Sequence, residues 1–252
     1  MAINEKRILI SYFINIIICV LGISSIIIES LKTFLFEKNY YGKFYDLFRF
    51  FTIDGNIYVI VSSIILIRYQ LIYLLDNNPN NNLFNNFLYF LGLSSSVSEF
   101  IIFIVINILF TPFYGPKFIN SYTGTSLHII IPLFVIFRFL FLDFRIKEIK
   151  FLFKFSGFIP MIIYGIIISI LILFKIIKDD KIPYSFLDYY NNNILINFLT
   201  ILLLPSLGLF FSFLFDYFNK KFETVIFHDI ERNINTKNEI TISQPINSIN
   251  AI

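Results

Sequence analysis

The segment from residue 50 to residue 75 reads FFTIDGNIYVIVSSIILIRYQLIYLL and decides how the chain is organised. It is long and apolar enough to cross a bilayer as a helix. It nevertheless opens with a hydroxyl, a carboxylate and an amide, on Thr52, Asp54 and Asn56. Thr52 and Asn56 are four residues apart and therefore share one face of that helix. Polar side chains in hydrocarbon cost free energy unless they are paired or used, so we expect another segment to bring partners to this depth.

Composition places the chain among all-α, polytopic membrane proteins. Apolar residues make up 57% of the 252 residues and charged residues only 15%, and the mean hydropathy is +0.75. A soluble domain of this size would need more charge to cover its surface. The net charge of +3 is small and dispersed, which argues against a nucleic-acid partner. The lone Cys19 excludes an intrachain disulfide, no zinc-ligand spacing is present, and we predict no metal or organic cofactor.

Six apolar segments, separated by polar or helix-breaking stretches, predict one transmembrane domain over residues 1–228. The predicted spans are about 8–28, 50–75, 87–111, 125–142, 156–177 and 193–216. Residues 229–252 are polar and rich in Asn and Ser, which predicts a disordered tail.

Six spans would place both termini on the same side of the membrane. Basic residues favour the cytoplasm for that side, because they cluster between the fourth and fifth spans and after the sixth. These residues are Arg145, Lys147, Lys150, Lys154, Lys220 and Lys221. The first external loop opposes this orientation with Lys32, Lys38 and Lys43.

The predicted topology brings three chemically useful groups to one leaflet. Spans two, four and six run in the same direction, so their N-terminal ends lie at one membrane face. Thr52 is near the start of span two and His128 near the start of span four. Span six is preceded by Pro183-Tyr184-Ser185-Phe186-Leu187-Asp188. A hydroxyl, an imidazole and a carboxylate are therefore predicted to converge.

This combination is typical of nucleophilic catalysis. A threonine hydroxyl needs an adjacent base to take its proton, and histidine is the usual one. Asp188 or Asp54 could orient the imidazole, and Asn56 or a backbone amide could donate to a developing oxyanion. Apolar surroundings would recruit a lipid acyl chain as the substrate.

Structural roles are the alternative for each of these residues. The Thr52 hydroxyl could bond a backbone carbonyl one turn back, and His128 could make an interhelical hydrogen bond. Asp54 could favour the positive end of a helix dipole, and Asp188 could cap a helix or lie in solvent.

A second polar pair lies deeper in the predicted bundle. Glu99 falls near the middle of span three, and Arg138 follows His128 by about 15 Å of helix. An isolated charge at that depth is expensive, so we predict a structural ion pair between Glu99 and Arg138. The alternative is a proton or ion relay that also uses Asn15 and Asn107.

Three motifs resemble the signatures of the Pr6Pr-type bacterial membrane proteins, a family related to the androgen-induced membrane hydrolases of animals. They are Phe51-Thr52-x-x-x-Asn56, His128-x-x-x-Pro132 and Pro183-Tyr184-x-Phe186-Leu187-Asp188. The resemblance implies a six-helix intramembrane hydrolase of fatty acid esters of hydroxy fatty acids, located in a bacterial cell membrane. It implies a nucleophilic role for Thr52, a partner role for His128 and a supporting role for Tyr184.

The chain departs from that family's pattern at two places. Arg138-Phe139 stands where family members carry an Asp-Trp pair, and Gly55 stands where serine is common.

The leading hypothesis from the motifs and their chemistry is a threonine-dependent lipid esterase whose partner is a membrane lipid or lipid-like ester. The alternatives are a channel or transporter lined by Glu99, Arg138, Asn15 and Asn107, and a purely structural or partner-binding membrane protein.

Overall fold

The structure, a computed structural model, describes nine parts of the chain. These are residues 3–36, 51–76, 82–104, 121–143, 149–177, 188, 190, 202 and 205–225. The described residues are almost entirely helical and include no β-strand. The predicted tail over 229–252 lies outside them, as do the end of the predicted third span and most of the first half of the sixth.

Six helices run through the described residues. Helix α1 covers Ile3–Phe36, α2 Phe51–Asp76 and α3 Asn82–Ile104. Helix α4 covers Tyr122–Leu142 and α5 Phe151–Leu173. Helix α6 covers residues 205–225, so it continues nine residues beyond the predicted end of the sixth span.

Two of these helices change their winding along their length. Helix α4 contains two π-helical segments, Ser126–Ile130 and Arg138–Leu142, on either side of the α-helical Ile131–Phe137. Helix α5 begins as a 3₁₀ helix over Phe151–Phe158 and continues as an α-helix from Ile159. Single-turn π segments inside α-helices are often found at functional sites.

Five helices in the described residues are long and apolar enough to cross a membrane, namely α1 to α5. This confirms the prediction of an all-helical chain with several spans. A sixth span, and the placement of both termini on one side, stay predictions. Buried ion-pair geometry is consistent with that placement, because Arg7 near the start of α1 contacts Glu223 near the end of α6 at 2.7 Å.

Polarity in the bundle is arranged as a lipid environment requires. On α1 the large exposed residues are apolar and recur every three or four positions, for example Phe13, Ile17 and Val20. The opposite face of α1 buries Ser11 and Asn15 against the other helices. An apolar exterior around a polar interior is the pattern expected when lipid, rather than water, surrounds the helices.

Close packing of α3, α5 and α6 depends on Gly157. Its backbone N–H donates to Ser212 Oγ at 3.0 Å, and that hydroxyl donates to the Lys154 carbonyl at 2.5 Å. A Cβ at Gly157 would lie 2.7 Å from both Ser212 Oγ and Val97 Cγ2. No side chain larger than hydrogen fits without displacing Ser212 and Val97.

Gly157→Ala is therefore expected to destabilise the protein by about 1–3 kcal/mol through overpacking. Gly165→Ala, on the same helix, is the matched control, because a Cβ there meets nothing within 4 Å. It should leave stability unchanged or raise it by up to about 1 kcal/mol through helix propensity. Thermal unfolding of both variants in detergent checks this, and equal melting temperatures would contradict it.

Candidate functional site

One face of α2 is turned toward α4 and carries the predicted nucleophile. Asn56 is fully buried, and its Nδ2 donates to the Leu127 carbonyl of α4 at 3.3 Å. Two turns deeper, Arg138 Nη1 of α4 lies 3.5 Å from Ser63 Oγ on α2. Thr52 is one turn before Asn56 and is also buried. Because residues four apart share a helix face, Thr52 lies on the face that meets α4.

The Asn56 contact exists because α4 is wound as a π-helix at this point. The Ile131 N–H donates to the Ser126 carbonyl, five residues back, instead of to Leu127. The next residue, Pro132, has no N–H to donate. The Leu127 carbonyl is thus without its α-helical donor, and the Asn56 amide supplies a substitute from α2.

The second π segment of α4 also leaves a backbone carbonyl without its α-helical donor, and an asparagine of another helix binds it. The Asp143 N–H donates to the Arg138 carbonyl at 2.9 Å, which removes the α-helical donor of Phe139. Asn219 of α6 donates its Nδ2 to the Phe139 carbonyl at 2.7 Å. Each π segment therefore releases one carbonyl, and an asparagine from a neighbouring helix binds it.

Thr52 and His128 lie at nearly the same depth, as measured along α3. Gly55 packs against Ile102, since a Cβ on Gly55 would lie 2.8 Å from Ile102 Cδ1. On the α4 side, Ser96 Oγ donates to the Val135 carbonyl at 3.3 Å. Helices α2 and α4 both run antiparallel to α3, so Thr52, three residues before Gly55, and His128, seven residues before Val135, lie about two residues apart when projected along α3. That difference corresponds to about 3 Å along the helix axis.

His128 belongs to the π segment Ser126–Ile130 and is buried, with only 6% of its surface exposed. Within the described residues no hydrogen bond joins the Thr52 hydroxyl to the His128 imidazole. The structure thus places the two residues on facing helices at one level, and their direct contact stays a prediction.

Asn56 is not available for the oxyanion role that the sequence suggested. Its Nδ2 carries two N–H groups, and these serve the Thr52 carbonyl at 2.8 Å and the Leu127 carbonyl at 3.3 Å. The prediction failed because the sequence does not show that a π segment would leave a carbonyl for Asn56 to bind. Asn56 is a clamp between α2 and α4.

Removing that clamp gives a direct test of its role. Asn56→Leu keeps the side-chain volume but leaves the Leu127 carbonyl buried without its donor, so we expect a loss of about 1–3 kcal/mol. Ser206→Ala is a suitable control, because its hydroxyl is exposed and bonds the Leu202 carbonyl four residues earlier in the chain. Thermal unfolding in detergent measures both, and an unchanged melting temperature for Asn56→Leu would contradict the clamp.

The other predicted supporting residues are placed only in part. Asp54 is half-buried in the first turn of α2, where a carboxylate favours the positive end of the helix dipole. Asp188 is half-buried, but its neighbours 178–187 and 189 lie outside the described residues. Tyr184 falls in the range 178–187 and therefore also lies outside the described residues. The predicted approach of this motif to His128 therefore stays a prediction.

Arg138 does not pair with Glu99, which corrects the predicted ion pair. Its Nε donates to Asp143 Oδ2 at 3.1 Å, and its side chain is completely buried. The two residues lie at different positions along the bundle. Arg138 is level with Leu93 on α3, and Glu99 lies about 9 Å further along that helix. Asp143, one π turn after Arg138, is the closer carboxylate.

Arg138 and Asp143 belong to a closed ring of hydrogen bonds across α1, α2 and α4. Asp143 Oδ1 accepts from Ser11 Oγ at 3.0 Å, which accepts from Gln70 Nε2 at 2.7 Å. Gln70 Oε1 accepts from Asn15 Nδ2 at 3.0 Å, and Asn15 Oδ1 accepts from Arg138 Nη1. Polar groups that hydrogen-bond one another in a ring stabilise the bundle, which supports a structural role for Arg138 and Asn15, and the alternative path stays a prediction.

Sequence reasoning named Arg138 and Asn15 but missed the other members of this ring. Ser11, Gln70 and Asp143 are polar residues in or beside apolar spans, and this position in the sequence could have indicated that they bond one another. Ser11 and Asn15 are also four residues apart, so they share one face of α1. Asn107, named for the alternative path, lies outside the described residues.

No protein-family model, no curated protein and no solved structure matches this chain. The assignment of chemistry therefore depends on the residues and their arrangement.

Proposed function

We propose that the protein is an intramembrane hydrolase of lipid esters in which Thr52 is the nucleophile and His128 the base. The observation that carries the proposal is the hydrogen bond from Asn56 to the Leu127 carbonyl. It joins the residue one turn after Thr52 to the residue directly before His128. The two helices are thereby held together at the level of the proposed reacting groups.

The proposed reaction has two steps. The Thr52 Oγ1 attacks the ester carbonyl carbon while its proton passes to His128, and the tetrahedral intermediate then expels the alcohol, which takes that proton. Water, deprotonated by His128, attacks the acyl-threonine, and Thr52 recovers its proton as the fatty acid leaves. A resting distance longer than a hydrogen bond is compatible with this, since such contacts often tighten only with substrate bound.

Stabilisation of the oxyanion is assigned to backbone amides at the start of α2. The structure describes this helix from Phe51, and the N–H groups of Thr52 and Ile53 belong to the first turn so described. The first N–H groups of a helix have no partner within it, and they lie at the positive end of its dipole. They take the role that Asn56 cannot fill.

The apolar exterior of the bundle supports a lipid as the substrate. Acyl chains can approach from the bilayer without crossing water, and α2 exposes Val61 and Ile64 on its outer surface. A fatty acid ester of a hydroxy fatty acid supplies both the ester and the apolar chains.

The experiment is hydrolysis of such an ester by the purified protein in liposomes, with the released fatty acid measured by mass spectrometry. Release well above that of protein-free liposomes is expected. No release from a panel of fatty acid esters and acylglycerols would contradict the proposal.

A further inference from the structure

Glu99 is a buried carboxyl group that the proposed hydrolysis does not use and that no ion pair within the described residues neutralises. Its side chain is completely buried in α3, and neither carboxyl oxygen makes a hydrogen bond within the described residues. An ionised carboxylate in such a place is very costly unless a proton or a cation neutralises it. Because no hydrogen-bond donor of the described helices reaches the Glu99 carboxyl, either a proton or a cation has to neutralise it.

The position of Glu99 follows from its neighbours on α3. Gly92 packs against Phe139 of α4, and Ser96 donates to the Val135 carbonyl of the same helix. Glu99 follows these two by seven and three residues, so it lies on the face of α3 that meets α4.

The same carboxyl is level with the first turns of α2. Tyr58 bonds Ser94 of α3, and Gly55 packs against Ile102. Glu99 lies between Ser94 and Ile102 along α3, so it is opposite the turn of α2 that carries Asn56. The carboxyl therefore lies at the seam where α2, α3 and α4 meet.

Further oxygen atoms at this seam also lack hydrogen bonds within the described residues. They are Asn56 Oδ1, Ser95 Oγ and Ser98 Oγ, and all three side chains are completely buried. Ser95 is one turn from Glu99 on α3, and Ser98 adjoins it in sequence. Carboxylate, amide and hydroxyl oxygens are the ligands that hard cations prefer.

The buried guanidinium of Arg138 does not neutralise Glu99 in this arrangement. Arg138 commits its Nε to Asp143 and its Nη1 to Asn15. Its Nη2 makes no hydrogen bond within the described residues, but Arg138 is about 9 Å from Glu99 along the bundle axis. A single carboxylate balanced by a single positive charge leaves the seam neutral, whereas a divalent ion would leave a net charge in hydrocarbon.

We propose that Glu99, Ser95 and Asn56 form an intramembrane binding site for a monovalent alkali cation, which competes with a proton for the carboxylate. A cation bound there would link α2, α3 and α4 one turn below the level of His128. This site is independent of the proposed hydrolysis, because none of its steps involves Glu99.

The first test is thermal unfolding of the purified protein in detergent, in sodium, potassium and choline chloride at equal ionic strength. Choline is too large for a site of this kind. We expect sodium or potassium to raise the melting temperature by about 3 °C over choline. Glu99→Gln should abolish the difference, and Glu29→Gln, at the other end of the sequence of α1 from Arg7 and outside the proposed site, should keep it. Equal melting temperatures of the wild type in all three salts would overturn the proposal.

The second test uses wild-type protein and does not depend on whether Glu99→Gln folds. Dicyclohexylcarbodiimide reacts with protonated carboxyl groups in apolar surroundings, and mass spectrometry locates the adduct. We expect an adduct on Glu99 that forms several-fold more slowly in the effective alkali salt than in choline chloride. Ser95→Ala should raise the cation concentration needed for protection. No adduct on Glu99 in any salt, or an adduct that forms at one rate in all salts, would overturn the site.

Discussion

Thr52→Ala is expected to lower ester hydrolysis by at least about 100-fold, because it removes the atom that forms the acyl intermediate. Its effect on stability should be small. The Thr52 hydroxyl makes no hydrogen bond that joins the described helices, and Asn56 contacts Thr52 through the Thr52 backbone carbonyl, which the substitution keeps. Activity in liposomes and thermal unfolding in detergent separate the two effects.

His128→Ala is expected to lower the rate by a similar factor, because no base would then take the proton from Thr52. The double variant should be no slower than either single variant, since a nucleophile and its base act as a unit. Thr52→Ser keeps a hydroxyl and should retain part of the activity. A Thr52→Ala variant that hydrolyses the ester at the wild-type rate, with an unchanged melting temperature, would contradict the nucleophilic role.

Asp143→Leu is expected to destabilise the protein by about 3–5 kcal/mol, because it leaves Arg138 as a buried charge without its carboxylate. Arg138 is fully buried and Asp143 is its only ion-pair partner within the described residues. The Ser11 hydroxyl also loses its acceptor, so the ring opens at two points. Unfolding in detergent, followed by circular dichroism, measures the loss.

Two further variants make that measurement specific. Arg138→Leu combined with Asp143→Leu removes both charges and should recover most of the stability, since apolar replacements of a buried pair are often tolerated. Lys32→Gln breaks an exposed pair with Glu29, in which the Lys32 side chain is 47% exposed, and should cost no more than about 1 kcal/mol. If Asp143→Leu were no worse than Lys32→Gln, the ring would not be a stabilising element.

The helical architecture and the depth of the polar residues could be predicted from the sequence. Apolar segments of sufficient length fix where helices lie, and the antiparallel order of neighbouring spans fixes which ends share a level. Those two rules placed Thr52 and His128 together, and the structure puts them at one depth on facing helices. They also named Arg138, Asn15 and Glu99 as buried groups.

The partners of those groups could not be predicted, because they depend on local winding and on side-chain reach. Nothing in the sequence around His128 except Pro132 indicates a π segment, and that segment decides what Asn56 binds. The Glu99–Arg138 pair was predicted from depth in the membrane alone. The register of α3 against α4 separates the two by about 9 Å, and the second π segment brings Asp143 to Arg138 instead.

The most direct measurement is the identity of the residue that an ester-directed, covalent fluorophosphonate probe modifies. Digestion and mass spectrometry of the labelled protein locate the adduct. We predict an adduct on the Thr52 hydroxyl that is lost in His128→Ala. An adduct on another residue, or equal labelling of Thr52 in the wild type and in His128→Ala, would contradict it.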